Sequence, residues 1–212
     1  MATTSIGAPG VTFPDASVQA SAGATGVPVL NVYTSSATWT KPATVKSIKV
    51  TVVGGGGTGG APSSSTTAGG GGGGGGTSIK VYPAASLPGP QPYTVGGASA
   101  TSSFGVAPVT VISGTSGSAG QGSVTNGNGG AGGSGSGGTL NISGTKGTAG
   151  NTSLVKGGDG GSSQLGSGGI NNTGGPATAG NSYGGGGGGA ANNGSLPGAS
   201  GAAGVVIIEE FY

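Results

Sequence analysis

Apolar and polar residues alternate most cleanly in Ser47-Ile48-Lys49-Val50-Thr51-Val52-Val53, where Ile48, Val50 and Val52 fall on one side and Lys49 and Thr51 on the other. A period of two predicts a β-strand with one buried and one wet face. The same alternation recurs in Ser78-Ile79-Lys80-Val81-Tyr82, and Val29, Leu30, Val32 and Tyr33 predict a shorter strand. Further strand candidates are 93–95, 106–112 and 204–211, and Trp39 precedes a break at Lys41-Pro42. Ahead of these, Val11 and Phe13 flank Thr12, and Pro14-Asp15 provides a turn before Val18, so two short extended pieces are expected there. Such a segment cannot bury its few apolar groups alone and is expected to dock on another chain or on copies of itself. The pattern predicts an all-β fold, a short-stranded, β-sandwich-like frame enclosing glycine-rich tracts. Residues 1–27 are an attachment segment with a linker, and 28–212 a glycine-rich β domain.

Between 113 and 203 the hydrophobic period disappears, leaving Gly with Ser, Thr, Asn and Ala, and no helix is expected. Glycine makes up 57 of 212 residues, a composition usually associated with disorder. Here, however, β-type segments frame the tracts, and a framed tract is expected to be ordered. A three-residue rhythm appears in Gly129-Gly130-Ala131-Gly132-Gly133-Ser134 and again in Gly157-Gly158-Asp159-Gly160-Gly161-Ser162. Three residues per turn is the polyproline II period, which Gly can adopt as well as Pro. Bare faces would let such helices pack backbone to backbone, with hydrogen bonds between helices replacing apolar burial. Packed polyglycine II helices and ordered irregular loops both remain open for the tract, which is expected to be an exposed surface. Collagen is disfavoured, because only 12 prolines occur and the glycine register breaks repeatedly.

Composition narrows the chemistry. The chain has no Cys, His or Arg, and its acidic groups are Asp15, Asp159, Glu209 and Glu210. A nucleophilic triad needs an imidazole or amine, and zinc or copper sites usually need His or Cys, so neither is expected. No enzyme activity, cofactor or metal is expected. A carboxylate pair for glycoside hydrolysis is the remaining enzymatic alternative, but Glu209 and Glu210 should point to opposite faces of a strand. The net charge of +2 comes from scattered lysines, without the basic stripe of a nucleic-acid footprint. The N-terminal residues carry no signal-peptide pattern, and Val205-Val206-Ile207-Ile208 is far shorter than the roughly 18–20 apolar residues of a membrane crossing.

Gly127-x-Gly129-x-x-Gly132 matches a dinucleotide fingerprint in letters, yet no strand precedes it and no helix follows. Sequons at Asn141, Asn151, Asn171 and Asn193 read as surface amides. Most aromatic residues adjoin expected strands and belong to a core. Tyr183 stands apart, before the run 184–189 and Ala190-Ala191-Asn192-Asn193. A flat ring with amides from Asn171, Asn172, Asn192 and Asn193 suits sugar recognition; alternatively Tyr183 pins the tract to the frame.

Three phrases then occur in order: Trp39-Thr-Lys-Pro-Ala-Thr-Val-Lys-Ser-Ile-Lys-Val-Thr-Val-Val-Gly-Gly-Gly-Gly57, Tyr93-Thr-Val-Gly-Gly97 and Gly201-Ala-Ala-Gly-Val-Val-Ile-Ile-Glu-Glu210. They resemble the opening, middle and closing signatures of the glycine-rich domain of bacteriophage tail fibres. Gly10-Val-Thr-Phe-Pro-Asp-Ala-Ser-Val-Gln19 resembles a phrase common near the ends of phage fibre modules. The resemblance implies a virion protein, a homotrimer, with Val11, Phe13, Pro14, Asp15 and Val18 attaching to a baseplate or other tail protein. It also implies that the exposed tract meets a host polysaccharide or outer-membrane protein, as in phage adhesins that present loops from a polyglycine helix sandwich. A virion spacer or decoration protein that binds no host is the alternative.

Overall fold

A computed structural model describes residues 5–7, 10–12, 18–19, 26–122, 125–171, 176–191 and 196–212. Strands β1 (Ser5–Gly7), β2 (Gly10–Thr12) and β3 (Val18–Gln19) form a small antiparallel sheet. The strands of the frame follow in chain order: β4 (Val29–Tyr33), β5 (Ala37–Trp39), β6 (Ser47–Val53), β7 (Thr77–Pro83), β8 (Gln91–Thr94), β9 (Ser102–Phe104), β10 (Ile112–Gly114), β11 (Gly135–Ser136), β12 (Leu140–Ile142) and β13 (Val205–Phe211). They make two five-stranded antiparallel sheets, β12-β7-β6-β13-β4 and β11-β10-β9-β8-β5. The fold is all-β. Among the described residues no helix is long and apolar enough to cross a membrane.

The alternation seen in the sequence sets the frame. Ile48, Val50 and Val52 of β6, with Tyr82 of β7 and Val206 and Ile208 of β13, meet Trp39, Tyr93, Phe104 and Ile112 of the second sheet in one buried core. The Phe104 ring lies 5.6 Å from Tyr82 and 6.4 Å from Trp39, centroid to centroid, within the usual range of aromatic pairs. The Tyr82 hydroxyl donates to the Thr110 carbonyl at 2.7 Å. The expected strand at 106–112 is displaced: only Ile112 joins β10, after the Pro108 turn, and β9 is a strand that the pattern does not mark.

Beyond the sheets, the glycine tracts hydrogen-bond with a period of three. In segment 69–76, Gly70, Gly73 and Gly76 donate to Gln121, Ser118 and Thr115, Gly71 and Gly74 to Thr148 and Thr145, and Gly69, Gly72 and Gly75 to Ala190, Gly187 and Gly184, all at 2.8–3.0 Å. Its carbonyls accept from segments 54–60, 127–134 and 157–162. Six neighbours therefore surround it. Segment 184–190 is enclosed in the same way by 54–60, 69–76, 157–162, 167–170, 178–181 and 198–204. The remaining segments close a ring around these two, giving layers of three (144–150, 157–162, 167–170), four (127–134, 69–76, 184–190, 178–181) and three (115–121, 54–60, 198–204).

This layout explains where glycine is obligatory. The two enclosed segments coincide with the uninterrupted glycine runs 69–76 and 184–189, because no direction is left for a side chain. A Cβ at Gly71, Gly72 or Gly73 would overlap the carbonyl of Asp159, Gly57 or Ala131 respectively. Segment 157–162 has one open side and keeps two glycines in three, as Gly-Gly-Asp-Gly-Gly-Ser. Segments 144–150 and 198–204 have three neighbouring segments and keep one in three.

At the lattice rim an amide can lack a neighbouring backbone acceptor, and threonine replaces it. The Thr148 amide donates to the Asp159 carbonyl at 2.8 Å, while the Asp159 amide donates to Thr148 Oγ1 at 2.7 Å. Thr145 closes the same ring with Ser162, Thr178 with Ile170, and Thr115 with Ser134. Buried amides are thus paired with little apolar core.

Candidate functional site

Segment direction determines where the connecting turns lie. Segment 54–60 leaves the frame from β6 and 69–76 returns to β7, while 115–121 leaves from β10 and 127–134 returns to β11. Antiparallel pairing carries this alternation through the lattice, with Gly75 bonded to Gly184 at the frame end and Gly69 to Ala190 at the other. The described residues of the connections, 61–67, 122, 125–126, 151–156, 171, 176–177, 191 and 196–197, therefore gather at the end away from the sheets. Bridges from Ala68 to Asn126 and to Ala191 tie three of them together.

The described tip is rigidly organised. Asn151 and Lys156 exchange backbone hydrogen bonds of 2.7 and 3.0 Å, and the Leu154 amide donates to Asn151 Oδ1 at 3.2 Å. Val155 sits at φ 51°, a costly conformation for a β-branched residue, inside this closed turn. Asn126 Oδ1 accepts from the Thr152 amide at 2.9 Å and so links neighbouring turns. Leu154 is left exposed at the summit, at 62%. Lys156 pairs with Asp159 Oδ2 at 2.9 Å, while Asp159 Oδ1 accepts from the Asn171 amide at 2.9 Å. The described summit therefore presents hydroxyls, amides and exposed apolar side chains, Leu154 and Ile170 the largest, with its lysine already neutralised.

Tyr183 and Asn171, the described members of the expected recognition set, lie at opposite ends of the lattice. Tyr183 lies at the frame end of segment 184–190, half-buried, and its carbonyl accepts from Ser163 Oγ. The next residue, Gly184, abuts the Val53 side chain of β6. At about 3 Å per residue of extended chain, Tyr183 and Ala191 stand roughly 25 Å apart. The expected pairing of Tyr183 with the Asn171 amide is thus corrected: the rod separates the two. Asn171 is also corrected, because it is buried and its Oδ1 accepts from the Gly157 amide at 2.9 Å rather than facing outward. Asn172, Asn192 and Asn193 lie outside the described residues. Of the attachment candidates, Val11 and Val18 fall in β2 and β3, while Phe13, Pro14 and Asp15 lie outside the described residues.

The described carboxylates, Asp159, Glu209 and Glu210, are engaged in structural bonds. Glu209 and Glu210 project to opposite faces of β13, as the alternation predicts. Glu209 pairs with Lys49 at 2.8 Å on the outer face. Glu210 is buried: Oε1 accepts from Trp39 Nε1 at 2.7 Å and Oε2 from the Tyr212 hydroxyl at 2.8 Å. That hydrogen bond, with burial, holds the Tyr212 hydroxyl above its ordinary range. Among the described residues no cluster of three or more His, Cys, Asp and Glu could hold a metal ion. Asn126 organises the tip without having been marked by the sequence, since nothing local distinguishes it from other loop residues, and Asn151, read as a surface amide, closes its own turn through Oδ1.

No family model matches the chain, and no curated protein matches it.

Proposed function

We propose that this chain is a tail-fibre or adhesin module of a tailed bacteriophage, attached to the baseplate or a neighbouring tail protein through residues 1–27. Its lattice is a stack of polyglycine II helices that holds recognition turns away from the frame. The observation that supports this most is the gathering of 61–67, 125–126 and 151–156, with Asn171, 176–177, Ala191 and 196–197, at one end of the lattice. A backbone-bonded rod fixes their spacing, so binding would cost little loop ordering. Hydroxyls, amides and exposed Leu154 suit a neutral host ligand, either envelope polysaccharide or the outer loops of a membrane protein.

The test is saturable binding of the full chain to whole bacteria and to isolated envelope polysaccharide. A variant carrying Leu154→Ser and Thr152→Gly is expected to lose binding at least tenfold while keeping the wild-type circular dichroism. Undiminished binding by this folded variant would remove the 151–156 turn from the site. Absence of binding to every surface of an infectible host would favour the spacer alternative.

A further inference from the structure

The outer face of sheet β12-β7-β6-β13-β4 is apolar where an antiparallel sheet normally turns polar residues to water. One cross-strand row runs Val32, Ile207, Thr51, Ile79, Leu140, and the next runs Leu30, Glu209, Lys49, Val81. Leu30, Val32, Val81 and Leu140 are 62%, 48%, 55% and 52% exposed. Nearer the lattice the same face is covered, with Val53 and Val205 fully buried. Five strands at ~4.8 Å and about five residues at ~3.3 Å give a patch of roughly 400 Å² in projection, a size that marks interaction sites on soluble proteins. Edge strand β4 carries no Pro or charge of the kind that protects exposed edges.

We infer that this face is covered by the same face of a second copy of the chain. The pattern is self-complementary. A two-fold axis parallel to the strands and passing between β6 and β13 lays β6 over the partner's β13 and β4 over the partner's β7. Leu30 then meets the partner's Val81, Val32 meets the partner's Ile79, and Lys49 meets the partner's Glu209. Leucine and valine side chains oppose valine and isoleucine, Ile207 packs against the methyl group of the partner's Thr51, Leu140 lies outside the overlap, and each charge opposes its counter-charge, as an isologous interface requires. A partner of strong net charge would find no complement here, because Lys49 and Glu209 already neutralise each other at 2.8 Å. Two-fold closure thus replaces the three-fold assembly implied by the resemblance, and it is independent of what the tips bind. Two such patches bury roughly 800 Å² in all, in the range of weak, transient complexes, so the dimer should depend on concentration.

Light scattering of the size-fractionated full chain, from low micromolar to submillimolar concentration, tests this. The expected result is a monomer–dimer equilibrium, with Val32→Lys combined with Val81→Lys remaining monomeric throughout. Trp39 fluorescence checks folding, and if the double variant unfolds, Leu30→Thr with Val81→Thr is expected to weaken the dimer at least tenfold. A wild-type monomer at every concentration, a trimer, or a dimer indifferent to both variants would each overturn the proposal.

Discussion

At the level of single residues, a hydroxyl or a carboxylate in this protein often completes a backbone network. Thr148 Oγ1 accepts the Asp159 amide, which has no backbone acceptor on the rim side. Thr148→Val keeps the shape but removes that acceptor, and it should cost about 1 kcal/mol in denaturant unfolding, whereas Thr148→Ser should stay near wild type. Tyr82 allows a pH test. Burial pushes its hydroxyl from 10.0 up to about 12. A folded-state pKa above the unfolded one means that the native state holds its proton longer. The associated stability is complete below pH 10 and is lost between pH 10 and about 12. Tyr33, Tyr93 and Tyr212 are raised too, so their losses add in the same direction. Tyr82→Phe should lower stability at neutral pH by about 1 kcal/mol, since the bond to Thr110 is gone, and should flatten the alkaline decline. Denaturation midpoints against pH would check both effects, and an equally steep decline in Tyr82→Phe would refute the assignment. Glu210 could not be read this way from the sequence, because its partner Trp39 lies 171 positions away and only the pairing of distant strands brings them together.

At the level of elements, an unbroken glycine run marks a segment enclosed on every side. Enclosed runs are all glycine, and rim segments keep the one or two positions in three that touch other backbones. Gly72→Ala would drive its Cβ into the Gly57 carbonyl, and Gly186→Ala into the Gly72 carbonyl; each should cost more than about 3 kcal/mol or prevent folding. Ser116→Ala on the half-buried rim segment 115–121 should change stability by less than about 0.5 kcal/mol. Soluble yield and urea midpoints would separate these outcomes. This contrast also explains which elements were legible. Strands β6, β7 and β13 repeat an apolar-polar alternation long enough to be recognised, and their expected bounds differ from the observed ones by about a residue. Strands β9, β11 and β12 are two or three residues long, too short for any period, and are fixed by the neighbours they bond to. The three-residue rhythm was visible at 129–134 and 157–162, but the partners of each face were not, because Gly carries no label for the segment it meets.

At the scale of the whole molecule, frame and lattice are threaded through one another. Segment 54–60 continues β6, 69–76 runs into β7, 198–204 runs into β13, and 144–150 follows β12. Losing the lattice would free the ends of the strands that form the aromatic core, and losing the core would release the ends that hold the lattice in register. Neither part has the independent closure of a separate domain. Unfolding should therefore be a single cooperative transition despite the two kinds of order, with Trp39 fluorescence, reporting the core, and backbone amide circular dichroism, reporting mostly the tracts, coinciding in urea. A milder lattice lesion such as Thr148→Val should move both signals together by the same increment, although Thr148 belongs to the rim and Trp39 to the core of the frame. Separate transitions, or a shift in only one signal, would mean that the lattice melts on a folded frame. The tip would then be positioned by a softer support than a host-recognition surface with fixed spacing requires.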